Sequence, residues 1–279
     1  MNKKTIAITG STGGLGKKIC FHLARLGYDM IFINRDIIKS KALADGIMLK
    51  YPKTNISHII MDLTDFNSVK TATNELLTHS FNTIILNAGI YNVPLKKLNT
   101  GYNNVFQVNF VSQYYIVKKL LENKNDSLEK IIALGSIAHN YSKLDENDID
   151  FSTYKKASKI YGNSKRFLMF SLFELLNDSG VKLCVTHPGI TLTNMTNHYP
   201  KIINWLVKIG IKVLFPSPQK ASKNIIYALN NNCSYKQWIG PKIFNIWGKP
   251  TIKKLKTCED AESKKIYKIA EKIYKNINI

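Results

Sequence analysis

Thr5-Ile6-Ala7-Ile8-Thr9-Gly10-Ser11-Thr12-Gly13-Gly14-Leu15-Gly16 decides the fold of this chain: a short apolar run passes through a glycine-built turn into the start of a helical pattern. Glycine is needed there for physical reasons. One permits the tight turn, another lets the backbone approach a ligand without a Cβ, and Gly16 allows the helix to pack closely. The free N–H groups of such a turn and the dipole of the helix behind it form a cradle for a pyrophosphate. Spacing alone leaves two readings open, since Gly10, Gly14 and Gly16 fit TGxxxGxG while Gly10, Gly13 and Gly16 fit TGxxGxxG.

Beyond this unit, β-rich runs alternate with longer helical patterns, the signature of βαβ units around a parallel sheet. Strands are expected at residues 4–9, 30–33, 56–61, 83–86, 130–134 and 182–186 and near Trp238, about seven in all. Helices are expected over 15–26, 37–50, 66–78, 102–121, 161–177 and 220–230. A last one carries Ile266, Ile269, Ile273 and Ile277 on one face. With no repeat and no linker, residues 1–279 read as one doubly wound α/β domain with helices on both faces of the sheet.

Composition narrows the function classes. The 279 residues carry 40 Lys+Arg against 19 Asp+Glu, a net charge of +21. Such a balance raises nucleic acid or an anionic surface as a partner. The lysines are spread along the whole length, however, and only Arg25, Arg35 and Arg166 are arginines, so a solvated basic surface without nucleic acid is the reading. Cys20, Cys184, Cys233 and Cys258 have no metal-ligand spacing, and no metal is expected. The run Thr5–Thr9 is too short for a signal-peptide core, and Lys208 and Lys212 interrupt the most apolar stretch, 202–215. Those features point to the cytoplasm.

Where the second strand ends, an NAD enzyme would carry an acid for the ribose 2′-hydroxyl, but here Asn34 is followed by Arg35. A guanidinium can pair bidentately with a 2′-phosphate, so NADP is the expected cofactor, with Asp36 lying just beyond the selecting position.

Further motifs follow in order: Asp62-Leu63 after the third strand, Asn87-Ala88-Gly89 after the fourth, Asn109 in a helix, Ser136 after the fifth, Tyr161-Gly162-Asn163-Ser164-Lys165, and Pro188-Gly189 followed by Thr193. With the glycine turn, this set resembles the short-chain dehydrogenase/reductase superfamily in its retinol-dehydrogenase-like branch, which implies a Rossmann-type fold and NAD(P)-dependent carbonyl–alcohol chemistry. Length and the Asn-Ala-Gly and Pro-Gly motifs favour the TGxxxGxG reading over that of the sugar epimerases. Tyr-x-x-x-Lys by itself says little. It occurs as Tyr114/Lys118, Tyr115/Lys119 and Tyr161/Lys165, and only the last follows Ser136 and has Ser before its Lys.

Reducing a carbonyl needs a proton on oxygen as hydride reaches carbon. A tyrosine, with a free pKa of about 10, needs a neighbouring positive charge to act near neutrality, which Lys165 can supply one helical turn from Tyr161. The resemblance implies that Ser136 bonds the substrate oxygen, Asn109 anchors a relay water, and Lys165 also holds the nicotinamide ribose. It further implies that Gly10, Ser11, Thr12, Gly14, Leu15, Gly16, Asn34, Arg35, Asp62, Leu63, Asn87, Ala88 and Gly89 line the adenosine and phosphate side. Pro188, Gly189 and Thr193 would meet the nicotinamide. Two positions depart from the family pattern: Leu86 replaces a usual Asn, and Gly135 a frequent Ser.

Residues 191–217, with Met195, Tyr199, Trp205, Val207, Ile211, Val213 and Phe215, read as an apolar lid over a small lipophilic carbonyl or alcohol. A peripheral membrane contact through Lys201, Lys208 and Lys212 is the competing reading. His139 and His187 lack partners at metal spacing and read as structural. A cofactor-binding scaffold without turnover is the other function class, disfavoured by the intact Asn109, Ser136, Tyr161 and Lys165. Substrate identity, direction and oligomeric state stay open.

Overall fold

Every strand expected from its apolar run joins one sheet, and each parallel strand reads differently on its two faces. In the computed structural model, which describes residues 4–123, 127–189 and 217–278, these strands are β1 (Thr5–Thr9), β2 (Asp29–Asn34), β3 (Ile56–Ile60), β4 (Thr83–Leu86), β5 (Lys130–Leu134), β6 (Lys182–Thr186) and β7 (Gln237–Ile243). Successive side chains alternate between faces. Ala7, Ile84, Leu86, Ile131 and Ala133 enter one apolar cluster, and Ile6, Ile8, Ile85, Ile132 and Leu134 the other. Because both faces are apolar, helices must cover both.

One face is covered by α1 (Gly14–Arg25), α2 (Ile37–Met48) and α7 (Pro218–Asn230). On the other lie α3 (Phe66–Leu77), α5 (Ser112–Glu122), α6 (Ala157–Leu176) and the C-terminal α8 (Asp260–Asn278). The strand order β3-β2-β1-β4-β5-β6-β7 doubles back at β1, so the connections after β1 and β4 run in opposite directions and open a crevice at the strands' C-terminal ends.

Among the described residues the sheet has eight strands, one beyond the seven expected. The addition, β8 (Trp247–Lys254), runs antiparallel to β7 at the sheet edge. Its Gly248, Pro250 and lysines hide it, since proline and lysine suit an edge strand yet read as loop. The helix expected over 102–121 starts instead at Asn104, where the Asn103 side chain accepts from the Phe106 N–H and caps a short α4 (Asn104–Phe106). A π-helical segment, Gln107–Val111, follows and runs into α5. Leu86, the departure from the usual Asn, is fully buried in the core. Thr193 and the lid from 191 to 216 lie outside the described residues. Among the described residues no helix is long and apolar enough to cross a membrane.

A buried ion pair ties α6 to α8. Arg166 Nε donates to Glu262 Oε1 at 2.7 Å, its Nη1 donates to the His139 carbonyl at 3.1 Å, and the two side chains are only 6% and 19% exposed. Removing one partner of a buried pair strands the other charge, which costs more than losing a solvated pair. In urea unfolding, Arg166→Leu should lose about 3–5 kcal/mol, whereas Lys265→Leu, breaking the exposed pair with Glu146, should lose at most about 1 kcal/mol.

Candidate active site

The crevice at the C-terminal ends of β1, β4 and β5 holds a cavity of about 570 Å³. Its wall collects most of the residues singled out in the sequence: Gly10, Thr12, Gly14, Leu15, Gly16, Asn34, Arg35, Asp62, Leu63, Asn87, Ala88, Gly89, Ser136, Tyr161, Lys165, Pro188 and Gly189. Ser11 and Asn109 stand behind this wall. Ser11 is buried, and its hydroxyl accepts from Asn34 Nδ2 at 2.7 Å.

Two of the turn glycines are dictated by structure. Gly10 has φ +68°, and a Cβ on it would sit 3.0 Å from Ala88 Cα; a Cβ on Gly16 would overlap the Gly10 carbonyl oxygen. The first turn of α1 contains no acid, and its N-cap, Gly13, offers no side chain to the free N–H groups. These donors therefore face the cavity uncapped, a fit for a dinucleotide pyrophosphate. Asn87 holds the neighbouring loop against the turn: its Nδ2 donates to the carbonyls of Thr9 (3.0 Å) and Gly10 (2.9 Å). The Thr9 hydroxyl oxygen accepts from the N–H groups of Asn87 and Ala88, both at 3.0 Å.

At the end of β2, Asn34 turns inward and donates to Ser11 and Ser40. The Asp36 carboxylate is committed elsewhere, accepting from the Lys39 N–H and pairing with Lys39 Nζ at 2.7 Å. Arg35 is left as the exposed charged side chain of Asn34–Asp36 on the cavity wall.

At the opposite end lie Ser136, Tyr161 and Lys165. Ser136 caps a 3₁₀ turn, Ile137–Tyr141, and its hydroxyl is hydrogen-bonded to the Tyr161 phenol. Gly162 makes this possible, because any Cβ there would overlap the Ala138 carbonyl oxygen of that turn. His139 braces the turn from below, bonded to the Ser136 carbonyl and Thr257, and burial lowers its pKa to about 4. Gly135 is matched to its surroundings, since a Cβ would lie 2.8 Å from both Met169 Sδ and Val185 Cγ1. The frequent serine would not fit against them.

The electrostatics differ from the sequence expectation. Burial pushes the Tyr161 phenol up to about 12, while the Ser136 hydrogen bond draws it down and neighbouring Tyr91 adds to the rise. Lys165 Nζ lies 5.9 Å from the Tyr161 ring centroid, donates to the Leu134 carbonyl at 2.9 Å, and is itself lowered to about 8 by burial. The expected depression of the phenol by the ammonium is absent from this balance, because burial dominates both groups.

Asn109 sits inside the π segment, where the widened backbone brings its side chain to the Asn-Ala-Gly loop. Its Oδ1 accepts from the Ile90 N–H (2.8 Å), and its Nδ2 donates to the Ile90 carbonyl and Ser164 Oγ (both 3.0 Å). The side chain thus positions its neighbours. A π segment interrupts the helical hydrogen-bond ladder. The Gln113 amide donates to the Val108 and Asn109 carbonyls as well as to Ala88.

Sequence reading missed Gln113, Thr9 as a clamp, and Tyr91, whose ring meets Tyr161 edge-on at 5.2 Å. The i, i+4 spacing of Asn109 and Gln113 was the available signal. The other two Tyr-x-x-x-Lys pairs lie away from the cavity: Tyr114 and Lys118 both bond Glu271 of α8, and Tyr115 packs edge-on against Phe66. His187 is buried and stacked on Trp238, and burial lowers it to about 3, so it is neutral. No cluster of metal-ligating side chains exists among the described residues.

Residues 4–202 match the family model described as short chain dehydrogenase. Retinol dehydrogenase 12 of Mus musculus is 29% identical over 209 residues, which cover 72% of this chain and 66% of that protein, just under two thirds of its length. An uncharacterized protein of known crystal structure from Mycobacterium paratuberculosis superposes with a TM-score of 0.75 at 20% identity, covering 98% of this chain and 93% of the other. A short-chain dehydrogenase from Sphingobium yanoikuyae, solved in complex with NADPH, gives a TM-score of 0.61 at 20% identity over 81% of this chain and 84% of that one. At these identities the structural likeness speaks for the fold.

The close seat of Gly162 against the 3₁₀ turn yields a test of the geometry. Gly162→Ala should destabilise the protein by about 1–3 kcal/mol in urea unfolding, because α6 must back away from Ala138. An unchanged unfolding midpoint would contradict that packing.

Proposed function

The chain belongs to the short-chain dehydrogenase family, and from that membership we propose that it is an NADP-dependent oxidoreductase interconverting a lipophilic carbonyl and its alcohol. The observation that carries the reading is the shared cavity of Ser136, Tyr161 and Lys165, with an uncapped glycine cradle at its other end. The cradle would hold the pyrophosphate, Asn87–Gly89 the adenosine side, and Lys165 the nicotinamide ribose. When bound, the cofactor supplies or accepts the hydride.

The chain's own residues handle the proton. In the reductive direction the Tyr161 phenol gives its proton to the substrate oxygen, and the Ser136 hydroxyl donates a hydrogen bond to that oxygen as negative charge develops on it. A phenol near 12 stays protonated at neutral pH yet is a much stronger acid than an alcohol, so transfer to the nascent alkoxide runs downhill. Lys165, near 8, is charged at neutral pH and returns a proton to the phenolate. Asn109 acts through others, fixing Ile90 and Ser164 beside Lys165. Gly89 leaves room for this, since a Cβ there would crowd Asn109 Oδ1 at 3.1 Å and Lys165 Nζ at 3.5 Å.

NADP is favoured over NAD by Arg35 on the cavity wall and by an Asp36 carboxylate already spent on capping α2. A lipophilic substrate suits a wall that includes Ile90, Tyr91, Val108, Ile137 and Tyr141, and retinol dehydrogenases stand among the similar proteins.

Calorimetry should find NADPH bound more tightly than NADH, with the preference shrinking in Arg35→Ala; equal or tighter NADH binding by the unmodified protein would remove the argument. With a turned-over carbonyl, Tyr161→Phe should lower kcat by about 100-fold or more while folding and NADPH binding persist. Tyr114→Phe should leave kcat unchanged, since its hydroxyl serves Glu271. The reductive rate should hold below about pH 8 and fall as pH rises through the Lys165 pKa of about 8, because the ammonium is the form that returns the proton. A rate that climbs across that window would exclude this role for Lys165.

A further inference from the structure

The β7–β8 hairpin carries exposed apolar side chains at its tip. Ile243, Phe244 and Trp247 are 51%, 81% and 41% exposed around its tip. The tip is a tight turn: the Ile246 N–H donates to the Ile243 carbonyl at 2.9 Å, and both central residues are left-handed, Phe244 at φ 48° and Asn245 at φ 58°. Such primed turns favour Asn-Gly, because a bulky side chain crowds the backbone at positive φ. Phe244 therefore bears an unfavourable conformation and an unfavourable solvation together, and neither serves the core.

The tip is also tied to its own strands by hydrogen bonds. Lys253 Nζ donates to the carbonyls of Pro241 (2.9 Å) and Lys242 (3.0 Å) and to Asn245 Oδ1 (2.9 Å), lashing the returning strand to the turn. The hairpin's own sequence carries one sign of charge, although Lys236 at its base is paired with Glu174 and Asp260. Residues 236–256 contain Lys236, Lys242, Lys249, Lys253, Lys254 and Lys256 and no Asp or Glu. Among the described residues, neither Lys242 nor Lys249 has an acidic partner at ion-pair distance.

Topology sets where this tip points. β7 runs parallel to β6, with Val185 opposite Trp238 and Thr186 opposite Ile239. The C-terminal end of β7, and hence the turn, lies at the same sheet edge as the C-terminal end of β6. There the chain passes directly into His187-Pro188-Gly189 of the cavity wall.

We propose that the β7–β8 hairpin tip docks on an anionic lipid bilayer, with Phe244 and Ile243 entering the headgroup boundary and Lys242 and Lys249 meeting the lipid phosphates. An exposed apolar ring gains by leaving water for the headgroup and acyl boundary, and flanking lysines add attraction to a negative leaflet. Docking there brings the cavity edge of the sheet to the bilayer. The proposal stands on the hairpin alone and does not require the catalytic reading.

The test uses the full chain with sedimenting vesicles of phosphatidylcholine alone and with roughly one third phosphatidylserine. Binding should appear with the anionic vesicles and weaken with salt. Phe244→Asn is the informative variant, because asparagine accepts positive φ: its unfolding midpoint should equal or exceed that of the unmodified protein while vesicle affinity falls by about tenfold or more. Replacing Lys242 and Lys249 by Gln should weaken binding by about fivefold each. Turnover of a water-soluble carbonyl, measured alongside, should be the same in all variants, which separates this proposal from the catalytic one. Failure of the unmodified protein to bind anionic vesicles, full binding by Phe244→Asn, or a Phe244-dependent dimer without vesicle affinity would each overturn it.

Discussion

One amide and one hydroxyl hold the two lips of the crevice together. Where β1 and β4 send their chains in opposite directions, the ends would part, and Asn87 Nδ2 with Thr9 Oγ1 joins them through four hydrogen bonds to backbone groups. All are within 3.0 Å and part-buried, so losing the clamp costs backbone groups their partners where water reaches them only partly. The glycine cradle on one lip and Gly89 on the other keep their spacing because of this clamp.

The same economy recurs at the opposite end of the cavity. Tyr161 and Lys165 sit one turn apart on α6, and α6 approaches the Ser136 turn only because residue 162 has no side chain. The π segment answers a matching demand from the other side. An undisturbed helix would set residue 109 by its regular ladder; the widened turn presents Asn109 to Ile90 and Ser164, and Gln113 bonds carbonyls of that segment. Burial that fixes these groups also sets their acidity, keeping the Tyr161 phenol protonated and bringing Lys165 within reach of neutral pH. Position and proton affinity here have a common cause.

Local chemistry made most of the frame legible in the sequence. Strands β4, β5 and β6 fall where their apolar runs end, and the glycine turn lies between a strand and a helix as its composition requires. Order of motifs along the chain separated Tyr161 from the two decoy tyrosines, a distinction the Tyr-x-x-x-Lys spacing cannot make. The edge strand β8 escaped because Gly248, Pro250 and its lysines carry the signals of a loop; only pairing with β7 makes it a strand.

What the sequence determined by itself was therefore the periodic and the punctuated: alternating apolar strands, helical faces, glycines at a tight turn, and an arginine directly after β2. Tertiary structure decided everything that depends on two distant segments meeting. Asn109 reaches Ser164 across 55 positions and Arg166 reaches Glu262 across 96, and Tyr114 is claimed by Glu271 from the far C-terminus. Whether burial or a neighbouring charge governs Tyr161 likewise follows from how deeply the folded chain encloses it. Periodicity is written in neighbouring residues, whereas these contacts and their desolvation exist only after the chain has closed on itself.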